Sequence, residues 1–354
     1  MQKISGILMI IFMVLGLSIT IPAIFKGLNE TENFNLSTLS NGKWSSLFET
    51  KFSDILPPRE PSLSLWGMLE LGLFQEGRKG VLIGKDGWLF TNEEFIADKN
   101  RNELIVNNKK FILDTATSLK ENNINLIVAF VPAKARVMHE KLGDYKYPIY
   151  NQSFYSEMID FFNERNIVAP NLNTTLNQRN DVFFKTDTHW TPKASLLTAK
   201  KIASNANQND LFTGLDNYVF TTPQSEKFDG DLTRYVPAGD LNKKYNINEN
   251  QSLYRNVTLN ANDNDKNEIE TDLFGDNNIP VTLVGTSYSA NPLWNFQNHL
   301  KYYLKSDVYN AADEGQGPFT TMKEYIQSDE YKNTPPQLII WEIPERYMSL
   351  PEKK

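Results

Sequence analysis

The chain has 354 residues, of which 40% are hydrophobic and 22% charged, and its formal net charge is −7. This composition is ample for a folded core, and an acidic balance without a long basic run argues against nucleic acid or an anionic lipid surface as a partner. The lack of cysteine excludes disulfides, thiolate chemistry and cysteine-based zinc sites. Only His139, His189 and His299 occur, which leaves few candidates for a general base.

Residues 4–25 form a stretch without a charged side chain. In a helix its 22 residues would extend about 33 Å, enough to cross the hydrocarbon layer of a membrane. Lys3 precedes the stretch, and Glu30 and Glu32 follow it, so the charge bias places the N-terminus in the cytoplasm. We therefore predict an uncleaved transmembrane anchor over 1–26, then a linker with N-terminal elements over 27–79 and a folded domain over 80–354. A cleaved signal peptide is the alternative, but its apolar core would be long.

Apolar periodicity divides the folded domain into alternating strands and helices. Residues 80–90 carry two apolar runs around a Gly-Lys-Asp-Gly turn, which is typical of a β-hairpin. The later patterns predict strands at 124–131, 167–169, 280–284, 307–309 and 337–343, and helices at 109–121, 154–165, 192–203 and 292–304. We interpret the Asn/Asp-rich stretch from about 205 to 278 as long surface loops. The alternation predicts an α/β sandwich with a mostly parallel sheet.

Gly285-Thr286-Ser287 follows directly after the strand predicted at 280–284. In open α/β sheets reactive groups collect at the carboxyl ends of strands, and this turn would expose the Ser287 hydroxyl as a nucleophile. Taken alone, such a turn is more often a helix N-cap. Ser289 is the alternative nucleophile, although it would lie further into the helix. A serine at that position also departs from the Gly-x-Ser-x-Gly elbow of lipases.

A serine hydroxyl needs an imidazole to accept its proton, and the imidazole needs a carboxylate to fix its tautomer. Asp187-Thr188-His189 offers both groups, although its first two residues also suit a cap for the helix that follows. A metal-ligand pair is a further alternative, but His139 and His299 lack ligand spacing, so we expect neither a metal nor a cofactor. We interpret His299 as a surface or packing residue and His139 as solvent-facing.

Five dispersed motifs are found between about residues 80 and 347. They are GKDGWLF at 84–90, VPAK at 131–134, KTDTHWTP at 185–192, GTSYS at 285–289 and WEIPERY at 341–347. Together, and in this order, they resemble the alginate O-acetyltransferase family, the AlgJ and AlgX group with an SGNH-hydrolase-like domain. Seven residues follow Tyr347, too few for the C-terminal carbohydrate-binding module of AlgX-like members. The resemblance is therefore closest to the membrane-anchored AlgJ-like members, and a short-lived encounter with the polymer is expected.

The resemblance implies a three-layer sandwich and a catalytic triad of Ser287, His189 and Asp187. In ordinary SGNH hydrolases the nucleophile block comes first, whereas here the Asp/His block precedes it, which resembles a circular permutation. Geometry rather than chain order defines a triad.

The oxyanion blocks of ordinary SGNH hydrolases have no clean copy in this chain. We place a backbone donor in the loop that contains Gly315 and Gly317. Arg346 and Tyr347, which follow the last predicted strand, are expected to line the site.

The function that the resemblance implies is the transfer of acetyl groups to a periplasmic exopolysaccharide through an acetyl-serine intermediate. The expected location is the inner membrane, with a single span and the catalytic domain in the periplasm. A membrane-bound O-acyltransferase would deliver the acetyl group, and a polysaccharide would accept it. Two alternatives remain open: a polysaccharide acetylesterase, in which water resolves the same intermediate, and a non-catalytic assembly or polysaccharide-binding subunit of a secretion complex.

Overall fold

The structure is a computed structural model. It describes residues 14, 16–18, 20–26, 28–29, 38–39, 43–55, 80–96, 99–177, 179–222, 224–236, 250–254, 257–259 and 279–351. The anchor predicted over 1–26 lies partly outside these residues, so the prediction of a membrane span stays a prediction. None of the helices within the described ranges is both long and apolar enough to span a membrane.

The chain divides into two compact units. The smaller comprises Met1–Gln75 and Pro237–Leu241 and contains helix α1, Lys43–Ile55. Trp44, Phe48 and Phe52 stack along this helix, with successive ring centroids 5.4 and 5.8 Å apart. The larger unit comprises Glu76–Val236 and Asn242–Lys354 and contains all five motifs.

Strands and helices alternate along the larger unit. Its described helices are α2 Arg101–Glu121, α3 Lys134–Val137, α4 Ile149–Gln152, α5 Phe154–Glu164, α6 Leu172–Leu176, α7 Pro192–Gln208, α8 Ser287–Ala290, α9 Phe296–Leu304, α10 Pro318–Gln327 and α11 Asp329–Asn333. Its described strands are β1 Val81–Ile83, β2 Leu89–Thr91, β3 Asn125–Val131, β4 Tyr218–Phe220, β5 Gln224–Phe228, β6 Asn250–Tyr254, β7 Val257–Leu259, β8 Val281–Val284, β9 Val308–Asn310 and β10 Leu338–Pro344.

Parallel strands form the central sheet in the order β3, β10, β8, β9. A single parallel bridge between Ile127 and Val168 extends the sheet beyond β3. In the middle, Ile340 of β10 lies opposite Ile127 on one side and Leu283 on the other. Every residue of β10 is buried, as expected of a parallel strand that is covered on both faces. The prediction of a mostly parallel sheet is confirmed.

Helices cover both faces of this sheet. Alternate side chains of a strand point to opposite faces. Val128 and Phe130 of β3 accordingly share a core with residues of α2, α5 and α10, whereas Ile127 and Ala129 share one with α6, α7 and α9. The result is the three-layer sandwich that the family resemblance implies.

Most predicted elements are present with shifted ends. The hairpin pairs Val81 with Thr91, and α2 begins at Arg101 rather than at 109. Helix α7 continues to Gln208 rather than ending at 203. The strand predicted at 167–169 is reduced to the bridge at Val168.

In two places the prediction is wrong. The helix expected over 292–304 is broken, because Asn295 adopts a left-handed backbone with φ 57°, so that Pro292–Trp294 form a 3-10 turn and α9 begins after them. The stretch from 205 to 278, interpreted as loops, contains two antiparallel pairs, β4 with β7 and β5 with β6. These strands have three to five residues each, too few to show a clear apolar period.

The carboxyl ends of the parallel strands meet at one edge of the sheet. There β3 leads towards Lys134, β8 to Gly285, β9 to the loop 311–317 and β10 to Glu345. The main-chain N–H of Asp313 donates to the carbonyl oxygen of Gly285 at 3.2 Å, which joins two of these segments. Sites of open α/β sheets form at this edge.

Candidate active site

Ser287 is the first residue of α8, immediately after the turn that follows β8, and it is only partly buried. The N-cap of this helix is Thr286, whose Oγ1 accepts the N–H of Tyr288 at 3.3 Å. The capping role is therefore filled by the threonine and not by the serine. The Ser287 hydroxyl instead lies 2.7 Å from Nε2 of His189.

The other ring nitrogen of His189 meets a buried carboxylate. Nδ1 lies 2.6 Å from Oδ1 of Asp187, and that carboxylate also accepts the main-chain N–H groups of His189 and Asp231, each at 2.8 Å. Burial by itself raises the pKa of the Asp187 carboxyl, but the hydrogen bond and charge of His189, with the two N–H groups, lower the pKa overall. Asp187 is thereby held in the charged form that an orienting carboxylate requires.

The loop that carries Asp187 and His189 is closed at its base. Phe183 and Trp190 form an isolated antiparallel bridge across it. Thr191 then caps α7 by accepting the N–H of Ala194 at 3.3 Å. Since Thr191 supplies the cap, the capping alternative for the residues before His189 does not hold.

Two aromatic side chains pack against the His189 ring. Trp294 stacks on it with ring centroids 5.0 Å apart and an interplanar angle of 22°, and Tyr288 lies 4.8 Å away. The indole N–H of Trp294 also donates to the carbonyl oxygen of Ser287 at 3.0 Å. Trp294 thus contacts both the imidazole and the turn that carries Ser287. The sequence pattern placed this tryptophan in a covering helix and gave no sign of the role.

A buried carboxylate lies beneath the turn that carries Ser287. Glu342 of β10 accepts the N–H of Thr286 at 2.8 Å, the hydroxyl of Thr286 at 3.0 Å and the hydroxyl of Ser289 at 3.1 Å. Burial raises the pKa of Glu342, and these hydrogen bonds and the charge of Arg346 oppose the rise. Ser289 is buried and bonded to this carboxylate rather than to an imidazole, so the geometry favours Ser287 over Ser289 as the nucleophile.

Gly285 allows this close approach. A Cβ at position 285 would lie 2.5 Å from Oε2 of Glu342 and 2.9 Å from its Cβ, well inside ordinary contact. We expect Gly285→Ala to lower the free energy of unfolding by about 1–3 kcal/mol, as overpacking of a core does, and to slow acyl transfer because the turn must shift. Urea denaturation and initial rates measure both effects. Wild-type stability in the variant would show that the turn does not depend on this contact.

Lys134 of the VPAK motif is buried, and its ammonium binds three main-chain carbonyl oxygens. Nζ donates to Leu89 at 2.6 Å, to Asp187 at 2.8 Å and to Lys185 at 3.3 Å. Desolvation lowers the pKa of Lys134 to about 8, against the charges of Asp187 and Glu94. The Lys134 side chain therefore joins the hairpin to the loop between Phe183 and Trp190 that carries Asp187 and His189, here called the triad loop. A single lysine after a strand carries no sequence signal for such a contact.

Three of the predicted oxyanion or substrate residues line one cleft. Gly315, Gly317 and Tyr347 border it together with Glu93 and Phe319. Gly317 has φ 81°, and a Cβ there would lie 3.2 Å from the Tyr347 ring, so glycine lets the loop rest on that ring. The structure thus brings these three residues together, and their roles stay predictions.

Arg346 is buried beside this cleft rather than in its wall. Its Nε donates to Oε2 of Glu93 at 3.1 Å, and its Nη1 donates to the hydroxyl oxygen of Tyr288 at 3.3 Å. The Tyr288 hydroxyl in turn donates to the carbonyl oxygen of Thr188 at 2.7 Å. Arg346 therefore reaches the triad loop through Tyr288, and direct contact of Arg346 with substrate also stays a prediction.

The remaining two histidines differ in exposure. His299 is buried, with Nδ1 2.8 Å from a serine hydroxyl of α7, which fits packing rather than surface exposure. His139 is exposed, as interpreted. In the described part of the chain, possible metal ligands group at Asp187, His189 and Asp231, whose ligand atoms lie within 4.8 Å of one another. Asp187 and His189 already use these atoms in the hydrogen bonds described above.

An α/β sandwich whose serine, histidine and aspartate meet at the carboxyl edge of a parallel sheet defines an SGNH-hydrolase-like protein. The family model described as "SGNH hydrolase-like domain, acetyltransferase AlgX" matches residues 81–345. The chain belongs to this family, and it is an O-acetyltransferase. The resemblance inferred from the five motifs is confirmed.

Individual relatives agree with this assignment. The probable alginate O-acetylase AlgJ of Pseudomonas syringae pv. tomato is 37% identical over 328 residues, covering 91% of this chain and 83% of that protein. The probable alginate O-acetylase AlgJ of Pseudomonas aeruginosa is 35% identical over 320 residues, covering 88% of this chain and 81% of that protein. The solved O-acetyltransferase domain of Pseudomonas putida AlgJ matches with a TM-score of 0.68 and 34% identity over 77% of this chain and 94% of that domain.

Proposed function

We propose that this O-acetyltransferase acetylates an alginate-like exopolysaccharide through an acetyl-Ser287 intermediate, with His189 as the base and acid and Asp187 as the orienting carboxylate. The observation that carries the mechanism is the unbroken row of short contacts, 2.7 Å from Ser287 Oγ to His189 Nε2 and 2.6 Å from His189 Nδ1 to Asp187 Oδ1. A nucleophile and its base need this spacing for proton transfer.

In the first half-reaction His189 Nε2 accepts the hydroxyl proton of Ser287, and Oγ attacks the carbonyl carbon of the donor acetyl group. The bond from that carbon to the donor oxygen breaks, and the departing oxygen takes the proton from His189. Asp187 stabilises the imidazolium while the proton is held there. The products are the acetyl ester of Ser287 and the deacetylated donor.

In the second half-reaction a sugar hydroxyl replaces the donor. His189 accepts its proton, the sugar oxygen attacks the acetyl-Ser287 carbonyl carbon, and Ser287 Oγ leaves and regains a proton from His189. Water in place of the sugar would release acetate, which is the esterase alternative. The two outcomes share every residue of the triad.

The carbonyl oxygen gains negative charge in both steps and needs N–H donors. The N–H of Thr286 already binds Glu342 at 2.8 Å, so the N–H of Ser287 is the donor that this turn offers. We place a second donor in the loop of Gly315 and Gly317, which the bond from Asp313 to Gly285 joins to the turn.

The relatives and the N-terminal segment support the cellular setting of the proposal. The AlgJ relatives carry alginate O-acetylase in their names, which favours a polyuronate acceptor. The family resemblance favours a multipass O-acyltransferase of the inner membrane as the donor, because acetyl-CoA is not expected outside the cytoplasm. The uncharged stretch 4–25 favours a tether that leaves the catalytic domain in the periplasm.

The tether has its own test. The native protein is expected in inner-membrane fractions with Met1 to Phe25 retained, because an uncharged helix of this length partitions strongly into lipid. N-terminal mapping of the purified protein decides the matter. A terminus downstream of Ala23 would show that the segment is a cleaved signal peptide.

Acetyl transfer itself is tested with the full chain, nitrophenyl acetate as the activated donor and a mannuronate oligosaccharide as the acceptor. We expect the oligosaccharide to gain mass in steps of one acetyl group, and a neutral glucan of equal length to gain less. Ser287→Ala supplies the background. Free acetate without acetylated oligosaccharide would identify an esterase, and equal labelling of both sugars would contradict the polyuronate acceptor.

A further inference from the structure

A glycine holds the segment around Asp231 against the triad loop. A Cβ at Gly230 would lie 2.2 Å from the carbonyl oxygen of Thr186, so only glycine permits this approach. The N–H of Leu232 donates to the same oxygen at 3.3 Å. The segment belongs to the stretch that the sequence pattern presents as surface loop, yet it packs on the residue before Asp187.

Asp231 and the triad loop exchange hydrogen bonds in both directions. The main-chain N–H of Asp231 donates to Oδ2 of Asp187 at 2.8 Å. In return, Oδ1 of Asp231 accepts the N–H of Thr188 at 2.7 Å and its hydroxyl at 3.1 Å. Asp187 therefore has one oxygen bound by His189 and the other by Asp231, which restrains rotation of its carboxylate.

The second oxygen of Asp231 faces the imidazole. Oδ2 lies 4.0 Å from Nδ1 of His189, too far for a hydrogen bond but close for a charge interaction. The side chain is 30% exposed, so water screens this interaction in part. Asp187 is the other acidic group at the ring, and the Lys134 ammonium, bound to the Asp187 carbonyl oxygen at 2.8 Å, is the cation on this side.

We propose that Asp231 is a second acidic positioning residue of the triad: its main chain fixes the Asp187 carboxylate, and its own carboxylate stabilises the imidazolium that forms when Ser287 is deprotonated. The inference rests on the proposed triad mechanism. A carboxylate near an imidazole favours the protonated ring, so it strengthens the ring as a base and moves the acid limb of the rate profile to higher pH.

Asp231→Asn tests the charge alone. Asparagine keeps the main-chain donor to Asp187 and an oxygen that accepts from Thr188, while the carboxylate charge is lost. We expect kcat for nitrophenyl acetate to fall roughly fivefold, the rate equivalent of about 1 kcal/mol for two unit charges 4 Å apart in water, with KM unchanged. The acid limb of the profile should move to lower pH, which a merely structural role would not cause.

Two further variants of the full chain serve as controls. Asp229→Asn removes the same charge from an exposed residue two positions away, and it should give the wild-type profile. Asp231→Glu keeps the charge, and it should leave the acid limb where the wild type has it. If Asp231→Asn fails to fold, Asp231→Glu and Asp231→Ala still separate charge from packing, because only the alanine variant should move the limb.

Three results would overturn the inference. The first is an Asp231→Asn profile that overlays the wild type while Ser287→Ala is inactive, and this result leaves the proposed function intact. The second is an equal shift in Asp231→Glu and Asp231→Asn. The third is loss of activity in the wild type on treatment with a chelator and its return with a divalent cation, which would make Asp231 a metal ligand. Full activity of Ser287→Ala would instead refute the triad mechanism itself.

Discussion

Ser287→Ala is expected to lower acetyl transfer by at least about 1,000-fold while leaving the fold intact. The substitution removes one hydroxyl from a partly exposed position, and the cap of α8 is supplied by Thr286. His189→Ala and Asp187→Ala should be comparably severe, because the three groups act as one unit and their losses do not add. Initial rates with nitrophenyl acetate and an oligosaccharide acceptor measure the effect, and thermal melts verify folding.

Ser289→Ala is the matched control for this prediction. It removes the same atom two residues later, from a side chain that donates to Glu342 at 3.1 Å and not to an imidazole. We expect activity within a few fold of the wild type and a loss of stability of about 1 kcal/mol for the hydrogen bond. An active Ser287→Ala beside an inactive Ser289→Ala would reverse the assignment of the nucleophile. Activity in both, together with a folded and active His189→Ala, would remove the triad from the mechanism.

Lys134→Met is expected to lower the free energy of unfolding by at least about 2 kcal/mol. Methionine has a similar length but no donor, so the carbonyl oxygens of Leu89 and Asp187 lose the partner given for them, whereas that of Lys185 keeps the N–H of Leu89 at 2.9 Å. Removal of the buried ammonium also removes its desolvation cost, which offsets part of this loss of stability. The unpaired carbonyl groups outweigh it, because each buried and unsatisfied group costs about 1–3 kcal/mol. Urea denaturation of the full chain measures the difference.

The loss of stability in Lys134→Met is expected to depend on pH and to grow as the pH rises. Desolvation lowers the pKa of Lys134 to about 8 from an ordinary value of 10.5, so between these values the unfolded chain holds a proton that the folded chain has released. The contribution of this group to stability therefore rises with pH across that window. The stability gap between wild type and Lys134→Met should widen from pH 8 to pH 10.

Lys146→Met is the control, since it removes the same charge from an exposed side chain in the same unit. It should change stability by less than about 0.5 kcal/mol at every pH. A gap for Lys134→Met that narrows as the pH rises would contradict the assigned pKa shift. A gap below about 0.5 kcal/mol would show that the carbonyl groups of Leu89 and Asp187 find other donors.

Much of the framework is determined locally by the sequence. The mainly apolar runs at 124–131, 280–284 and 337–343 each become a parallel strand, because a strand covered on both faces favours apolar side chains. Glu342 is a charged residue within the last run, and its hydrogen bonds to Thr286 and Ser289 satisfy its carboxylate. Turn residues mark the ends of these runs, so the sequence alone locates the nucleophile turn after β8. The loop with Asp187 and His189 is also recognisable from the sequence, because a carboxylate and an imidazole lie only two positions apart.

Only the tertiary structure decides what surrounds these groups. His189 and Ser287 are 98 positions apart, and nothing local specifies a 2.7 Å contact between them. By sequence pattern Trp294, Glu342 and Asp231 are a helix residue, a strand residue and a loop residue, yet they hold the imidazole, the nucleophile turn and the Asp187 carboxylate. A polar or aromatic side chain acquires such a role through the partner that packing brings to it, and sequence periodicity describes only which face of its own element it occupies.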